Sequence, residues 1–224
     1  MEQRWHDLLF AHWPLPPEKI RPLVPAELEL DLFQGQAYVA VAPFHMSGVR
    51  NRFMPPMPGL SRFPELNVRT YVRFGGIPGV YFFSLDAGSR AAVWGARMSY
   101  GLPYFYAQMS VKDNQGRIEY SSRRLEPLKP AEFRGSYWPV SEARRREKDS
   151  IEYFLTERYC LYVVRSGKVV RAMIHHLPWE LQDAEAEISV NSMAQAAGIE
   201  LPETRPLLHF SRFLKVIVWA PERA

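Results

Sequence analysis

Phe63-Pro-Glu-Leu-Asn-Val-Arg-Thr-Tyr-Val-Arg-Phe74 alternates from Glu65 onward. Side chains two apart in a strand share one face. Leu66, Val68, Thr70, Val72 and Phe74 form an apolar set suited to a core. Glu65, Asn67, Arg69, Tyr71 and Arg73 form the other face, and every one can hydrogen-bond. An ordinary half-exposed strand carries Lys, Glu, Thr and Ser on its polar face. Here a carboxylate, an amide and a guanidinium stand at successive positions, roughly 6–7 Å apart. Those groups hold a small polar ligand if their face looks into a cavity. A solvated face, or a patch of salt bridges between strands, fits the same pattern. The alternation alone leaves both readings open.

Around this strand the chain is 224 residues long, with 47% hydrophobic residues and a high aromatic share that favours strands. That suffices for one large core, and no repeat, low-complexity linker or composition break divides the chain, so one domain over residues 1–224 is expected. The net charge of +4 is spread along the sequence. A nucleic-acid surface would concentrate it. The one dense basic run, Arg144 to Arg146, has Glu142, Glu147 and Asp149 beside it and reads as a solvated face. No apolar run is long enough to span a membrane, and no signal-peptide pattern opens the chain. The single cysteine, Cys160, has no partner for a disulfide and reads as a buried thiol, consistent with a reducing cytoplasm.

Turn signals outline the order of elements. Pro16-Pro17-Glu-Lys-Ile-Arg21 marks a short helix start. Leu28–Leu32 and Gln36–Phe44 read as strands joined through Gln34-Gly35. Met46–Pro64, rich in Pro, Met and Arg, reads as a long irregular segment suited to a lid or a partner contact. After the central strand, Gly75-Gly76 turns into Gly79–Asp86, and Ala91–Met98 is expected to form the next strand. Asp113-Asn-Gln-Gly116 turns Pro103–Lys112 into Arg117–Arg123. A proline-rich crossing over 127–139 leads to a helix opened by Asp149 and Glu152. Arg165-Ser-Gly-Lys168 joins Tyr159–Val164 to Val169–His175. Ser189–Ala197 reads as a helix closed by Gly198, and Leu207–Trp219 as the last strand. Short strands joined by tight turns predict an antiparallel meander or barrel.

Several blocks together resemble the YqjF-like group of bacterial proteins: Leu9-Phe-Ala-His-Trp13, Ala42-Pro-Phe44, Phe63 to Val72, Gly79-Val-Tyr-Phe-Phe-Ser-Leu-Asp86, Leu102-Pro-Tyr104, Phe154-Leu-Thr-Glu-Arg-Tyr159 and His175-His-Leu-Pro-Trp179. The likeness covers nearly the whole chain. The group is placed near the acetoacetate decarboxylases, which implies a mainly β, α+β fold: a cone-shaped antiparallel β-barrel with a few flanking helices and a polar cavity. Oligomers are common around that fold, so a homo-oligomer is compatible with it. The decarboxylases form a Schiff base on one of two tandem lysines that follow a proline. The matching stretch here is Gly101-Leu-Pro103-Tyr104-Phe105, with Tyr104 and Phe105 in place of both lysines. A tyrosine hydroxyl cannot form an imine, so that chemistry is not expected.

The candidate site is therefore Glu65 and Tyr104 near the chemistry, with Asn67, Arg69, Tyr71, Arg97 and Tyr106 as ligand-binding groups. Either arginine can pair a carboxylate or phosphate bidentately. Glu65 acts as an acid or base if burial raises its pKa, and Tyr104 can donate to a developing oxyanion. The competing reading is a buried network that pins strands together. Lys215 and Lys112 read as surface lysines. His175 and His176 face opposite sides of a strand, and no set of three or four convergent ligands predicts a metal site. The expected partner is a small polar or anionic ligand, with no cofactor, nucleic acid or membrane. The alternative is a non-catalytic interaction protein that uses the 46–60 segment and exposed aromatics.

Overall fold

The computed structural model describes residues 1–50 and 61–224. Among these residues, thirteen strands and three short helices make the fold mainly β: β1 Glu2–Leu15, α1 Pro17–Ile20, β2 Glu29–Leu30, β3 Ala37–Arg50, β4 Phe63–Phe74, β5 Ile77–Ala87, α2 Arg90–Tyr100, β6 Tyr104–Asn114, β7 Arg117–Arg124, β8 Glu132–Pro139, α3 Ile151–Thr156, β9 Cys160–Arg165, β10 Lys168–His176, β11 Gln182–Asn191, β12 Leu207–Val218 and β13 Glu222–Arg223.

The two-residue turns form where the sequence placed them. Gly75-Gly76 (φ +57° and +79°), Gln115-Gly116 (+54° and +91°) and Ser166-Gly167 (+49° and +69°) each put two residues in the left-handed region. That backbone matches the right-handed twist of the strands it joins.

A wall of five strands, in the order β12-β1-β3-β4-β5, carries the rest. Both edge strands split along their length. The first half of β5 pairs in parallel with β9 (Val80 opposite Leu161), and its last residues pair in parallel with β6 (Leu85 opposite Tyr104). The end of β12 pairs with β10, and its start pairs with β11. The hairpin β9–β10 thus closes a ring over one face of the wall, and β6-β7-β8-β11 closes a second ring over the other. The meander is antiparallel except at β5.

This topology leaves no solvent side for the middle of the wall. Leu66, Val68 and Val72 of β4 pack with Ile118, Tyr120, Phe133 and Tyr137 in the second ring. Tyr71 on the opposite face packs with Phe10, Phe44, Phe82 and Ile174 in the first. Residues Glu65 to Val72 of β4 are all buried. The solvated-face reading of the strand does not hold.

Five sequence expectations change. Ala91–Met98 is not a strand but lies within α2: the Ser89 side chain accepts from Ala92 N at 3.3 Å, and Gly101 caps the other end at φ +65°. The crossing over 127–139 contains β8, and Ser189–Asn191 ends β11, leaving only a 3₁₀ turn over Gln195–Ala197 before Gly198. Both strands are held by pairing with each other, a tertiary contact that overrides local propensity. The helix cap is Ser150, one residue after Asp149, through its acceptance from Tyr153 N at 3.2 Å. Met46–Arg50 continues β3, and Phe63-Pro64 opens β4. The remainder of the 46–64 segment, with its reading as a lid or partner surface, lies outside the described residues.

Candidate functional site

The first ring encloses a cavity of about 80 Å³. Glu65, Asn67 and Arg69 line it from β4, because alternate residues of a buried strand project into the same interior. A bulge in β5 sets Val68 opposite Ser84 but Arg69 opposite Phe82. Phe82 and Leu85 therefore both reach the cavity. Tyr104 enters from the start of β6, held there by the parallel pairing to Leu85 and by α2, whose Ala96 and Tyr100 also line the space.

The Tyr104 hydroxyl donates to Oε2 of Glu65 at 2.7 Å. Burial pushes the Glu65 carboxyl up from 4.5 to about 8, against the lowering effect of that hydrogen bond, with the Asp86 carboxylate adding to the rise. Glu65 is thus a neutral acid at pH 7. Asp86 does not compete for a cavity role, because Arg124 holds it in a buried bidentate pair at 2.7 and 3.0 Å. Burial also raises the Tyr104 phenol well above its usual range, with Glu65 reinforcing it. Both groups are proton donors at neutral pH.

Arg69 sits 5.2 Å over the Phe10 ring and 6.0 Å over the Tyr71 ring. It is 7% exposed, yet its Nε has no hydrogen-bond partner, and no carboxylate among the described residues forms an ion pair with it. Oδ1 of Asn67 is likewise buried without a partner. A second cavity arginine, Arg158, is satisfied: Nη1 donates to Asp31 and Nε to the Phe154 carbonyl at 2.6 Å. The contrast matters, since buried charges and polar groups are ordinarily paired.

The structure brings together Glu65, Asn67, Arg69 and Tyr104 of the sequence-derived set. Tyr71 stands on the same face of β4 but turns its hydroxyl to His12 Nε2, 2.6 Å away, and supports the wall behind the cavity. Arg97 and Tyr106 lie elsewhere. Arg97 is exposed on α2 and donates from Nε to the Tyr104 carbonyl at 2.6 Å. Tyr106 is half-buried under the Arg90 guanidinium, 4.8 Å from its ring centroid. Arg97 entered the set through reading α2 as a strand, and Tyr106 through its place two residues from Tyr104 on β6.

Sequence reasoning missed Arg158 and Trp179, although both fall in blocks that carry the family likeness. Lys215 is exposed and 3.5 Å from Glu2, and no lysine lines the cavity. His175 and His176 do face opposite ways, and among the described residues no three His, Cys, Asp or Glu side chains converge as a metal site. No helix among them is long and apolar enough to cross a membrane.

Residues 2–215 match the DUF2071 family, described as "Uncharacterized conserved protein". The chain belongs to that family. One relative, "Uncharacterized protein YqjF" of Bacillus subtilis (strain 168), is 51% identical over 219 residues, which cover 98% of this chain and 90% of the relative. The fold is that of the acetoacetate decarboxylase-like proteins. The enduracididine biosynthesis enzyme MppR, solved in complex with pyruvate, aligns with a TM-score of 0.66 at 11% identity, over 99% of this chain and 89% of its own. Acetoacetate decarboxylase from Legionella pneumophila gives 0.66 at 11%, over 100% and 87%. An acetoacetate decarboxylase-like enzyme from Sphingomonas wittichii RW1 gives 0.67 at 10%, over 100% and 92%. At such identities the likeness is one of fold.

Proposed function

We propose that this DUF2071 protein binds a small organic anion in the first-ring cavity and acts on it, as a carbonyl or carboxylate compound, by acid–base chemistry without a Schiff base. One observation carries the reading: Arg69 is a buried cation, facing an open space, with neither a counter-ion nor an acceptor for its Nε. A carboxylate in the cavity completes both. Glu65 does not serve as the counter-ion, because burial keeps it protonated. The pyruvate bound in the MppR structure is in keeping with a small anion in a site of this fold.

In this arrangement each side chain has a distinct task. Arg69 fixes the anion and so orients the rest of the molecule toward Glu65. With the Tyr104 hydroxyl on Oε2, Glu65 is left to present its proton from Oε1 to a carbonyl oxygen or a developing carbanion. Tyr104 stabilises the carboxylate that results, and the return of the proton regenerates the acid. The apolar walls exclude water and strengthen each of these interactions. An interaction protein with a filled barrel would not need a buried arginine Nε without an acceptor inside it.

The test is a thermal-shift screen of short carboxylates and 2- and 3-oxo acids on wild type, Arg69→Ala and Glu65→Gln. A ligand at 100 times its Kd adds about 2.7 kcal/mol, which raises Tm by a few degrees at this size. A shift lost in folded Arg69→Ala supports the site. Absence of any shift, with Arg69→Ala as stable as wild type, removes it.

A further inference from the structure

The cavity holds one more unsatisfied group that the assignments above do not use. Trp179 lies in the loop after β10 and is 2% exposed, and its indole Nε1 has no hydrogen-bond partner. Its position is braced: its backbone N–H donates to Glu157 Oε1 at 2.8 Å, while Tyr159 donates to Oε2 of the same carboxylate. The indole meets Phe10 edge to face, with centroids 5.0 Å apart and planes at 82°. Arg69 lies over that same Phe10 ring. Arg69 and Trp179, each with an unpartnered N–H, therefore both contact Phe10 and both line the cavity. The Asn67 amide, with its own unpartnered Oδ1, stands between Arg69 and Glu65 along β4.

Much of the remaining lining is apolar, beginning with the strand next to Arg69 and Asn67. Val80, Phe82 and Leu85 of β5, Leu161 of β9, Ile174 of β10 and Val218 of β12 make up this part. They offer nothing to a second charged or strongly polar group. The space is also small. At roughly 10–15 Å³ for each water-sized group, about 80 Å³ takes roughly five to eight non-hydrogen atoms.

We infer that Trp179 and Arg69 together form the anion subsite and that the occupant is a short-chain aliphatic monocarboxylate, its tail against the β5–β9–β10 wall. This rests on the small-anion reading above and narrows it to a polar head with an apolar end. A dicarboxylate would place its second charge against this apolar wall or beside Arg158, which is already paired with Asp31, and a sulfate or phosphate would leave the wall uncovered.

The experiment is calorimetric titration, at pH 7, of acetate, propionate, butanoate, 3-methylbutanoate, octanoate, succinate and inorganic phosphate into wild type, Arg69→Ala and Trp179→Phe, with butyramide as the uncharged control. Affinity should rise about fourfold for each methylene from acetate to butanoate. Octanoate, succinate, phosphate and butyramide should bind at least tenfold more weakly than butanoate. Trp179→Phe should weaken butanoate by about tenfold, with a preserved thermal transition showing that it folds. A flat chain-length series, or succinate or phosphate binding as well as butanoate, overturns the inference in wild type whatever the variants do. Unchanged butanoate affinity in folded Trp179→Phe overturns the indole contact. In each of these cases, loss of binding in Arg69→Ala would leave the small-anion reading standing. If no carboxylate binds wild type, both fall.

Discussion

The hydroxyl of Tyr104 donates to the Glu65 carboxyl at 2.7 Å, across two strands that lie 39 residues apart in sequence. The sequence resemblance matches Tyr104 to a lysine of the acetoacetate decarboxylases, and the consequence of a tyrosine here falls on Glu65. A lysine ammonium at hydrogen-bond distance would hold the carboxyl ionised. A neutral hydroxyl does not offset burial, and Glu65 is left with a pKa of about 8. A hydroxyl rather than an ammonium beside Glu65 thus leaves a carboxylic acid in the cavity.

Glu65 makes stability depend on pH. Its folded pKa of about 8 lies above the ordinary 4.5, so the folded state holds a proton that the unfolded state releases between those values. The Glu65 contribution is then fully present below pH 4.5 and is lost as pH rises through 8. The loss amounts to at most about 4–5 kcal/mol. Glu65→Gln keeps an acceptor for Tyr104 but has no proton to lose. Chemical denaturation from pH 5 to pH 9 should show wild type falling relative to Glu65→Gln, and parallel profiles would contradict the buried acid.

The absence of a cavity lysine leads to a chemical prediction. Treatment with borohydride in the presence of pyruvate or acetoacetate should leave the intact mass unchanged, since reduction traps only an imine. A mass increase that maps to any lysine would show that the reaction runs through a nucleophile outside the cavity described here.

The ring around the cavity depends on a close approach at Gly79. A Cβ there would lie 2.7 Å from the Cys160 carbonyl oxygen and 2.7 Å from the Tyr162 ring. Neither can easily retreat, because Val80 pairs with Leu161 and the Tyr162 hydroxyl donates to the Ile77 carbonyl at 3.0 Å. Gly79→Ala should cost about 1–3 kcal/mol, read as a lower denaturation midpoint, and should weaken ligand binding because β5 and β9 form the apolar wall. Gly95→Ala, where a Cβ meets nothing within 4 Å and φ is not positive, is the control for a methyl added without a clash.

Much of this architecture was legible in the residues because it rests on local rules. Period-two alternation in Glu65–Phe74 specified a strand with one apolar and one hydrogen-bonding face. Pairs such as Gly75-Gly76 specified their own turns, since few residues adopt a positive φ. Tyr104, matched by resemblance to a lysine of the decarboxylases, argued against an imine from covalent chemistry alone. Other features had no local signal. The strands over 132–139 and 182–191 exist through pairing with each other, and α2 announced itself only through Ser89 and Gly101, which an alternating reading passes over. Whether the polar face of β4 met water or an interior could not follow from β4, because burial of a strand face is decided by what closes over it. That closure comes from β5 and β12 splitting between two rings, a long-range arrangement set by contacts over more than a hundred residues. The sequence thus determined which groups β4 could present. The tertiary structure decided that Glu65 is dry enough to keep its proton, that Arg69 lacks a counter-ion, and that Trp179, more than a hundred residues away, shares their cavity.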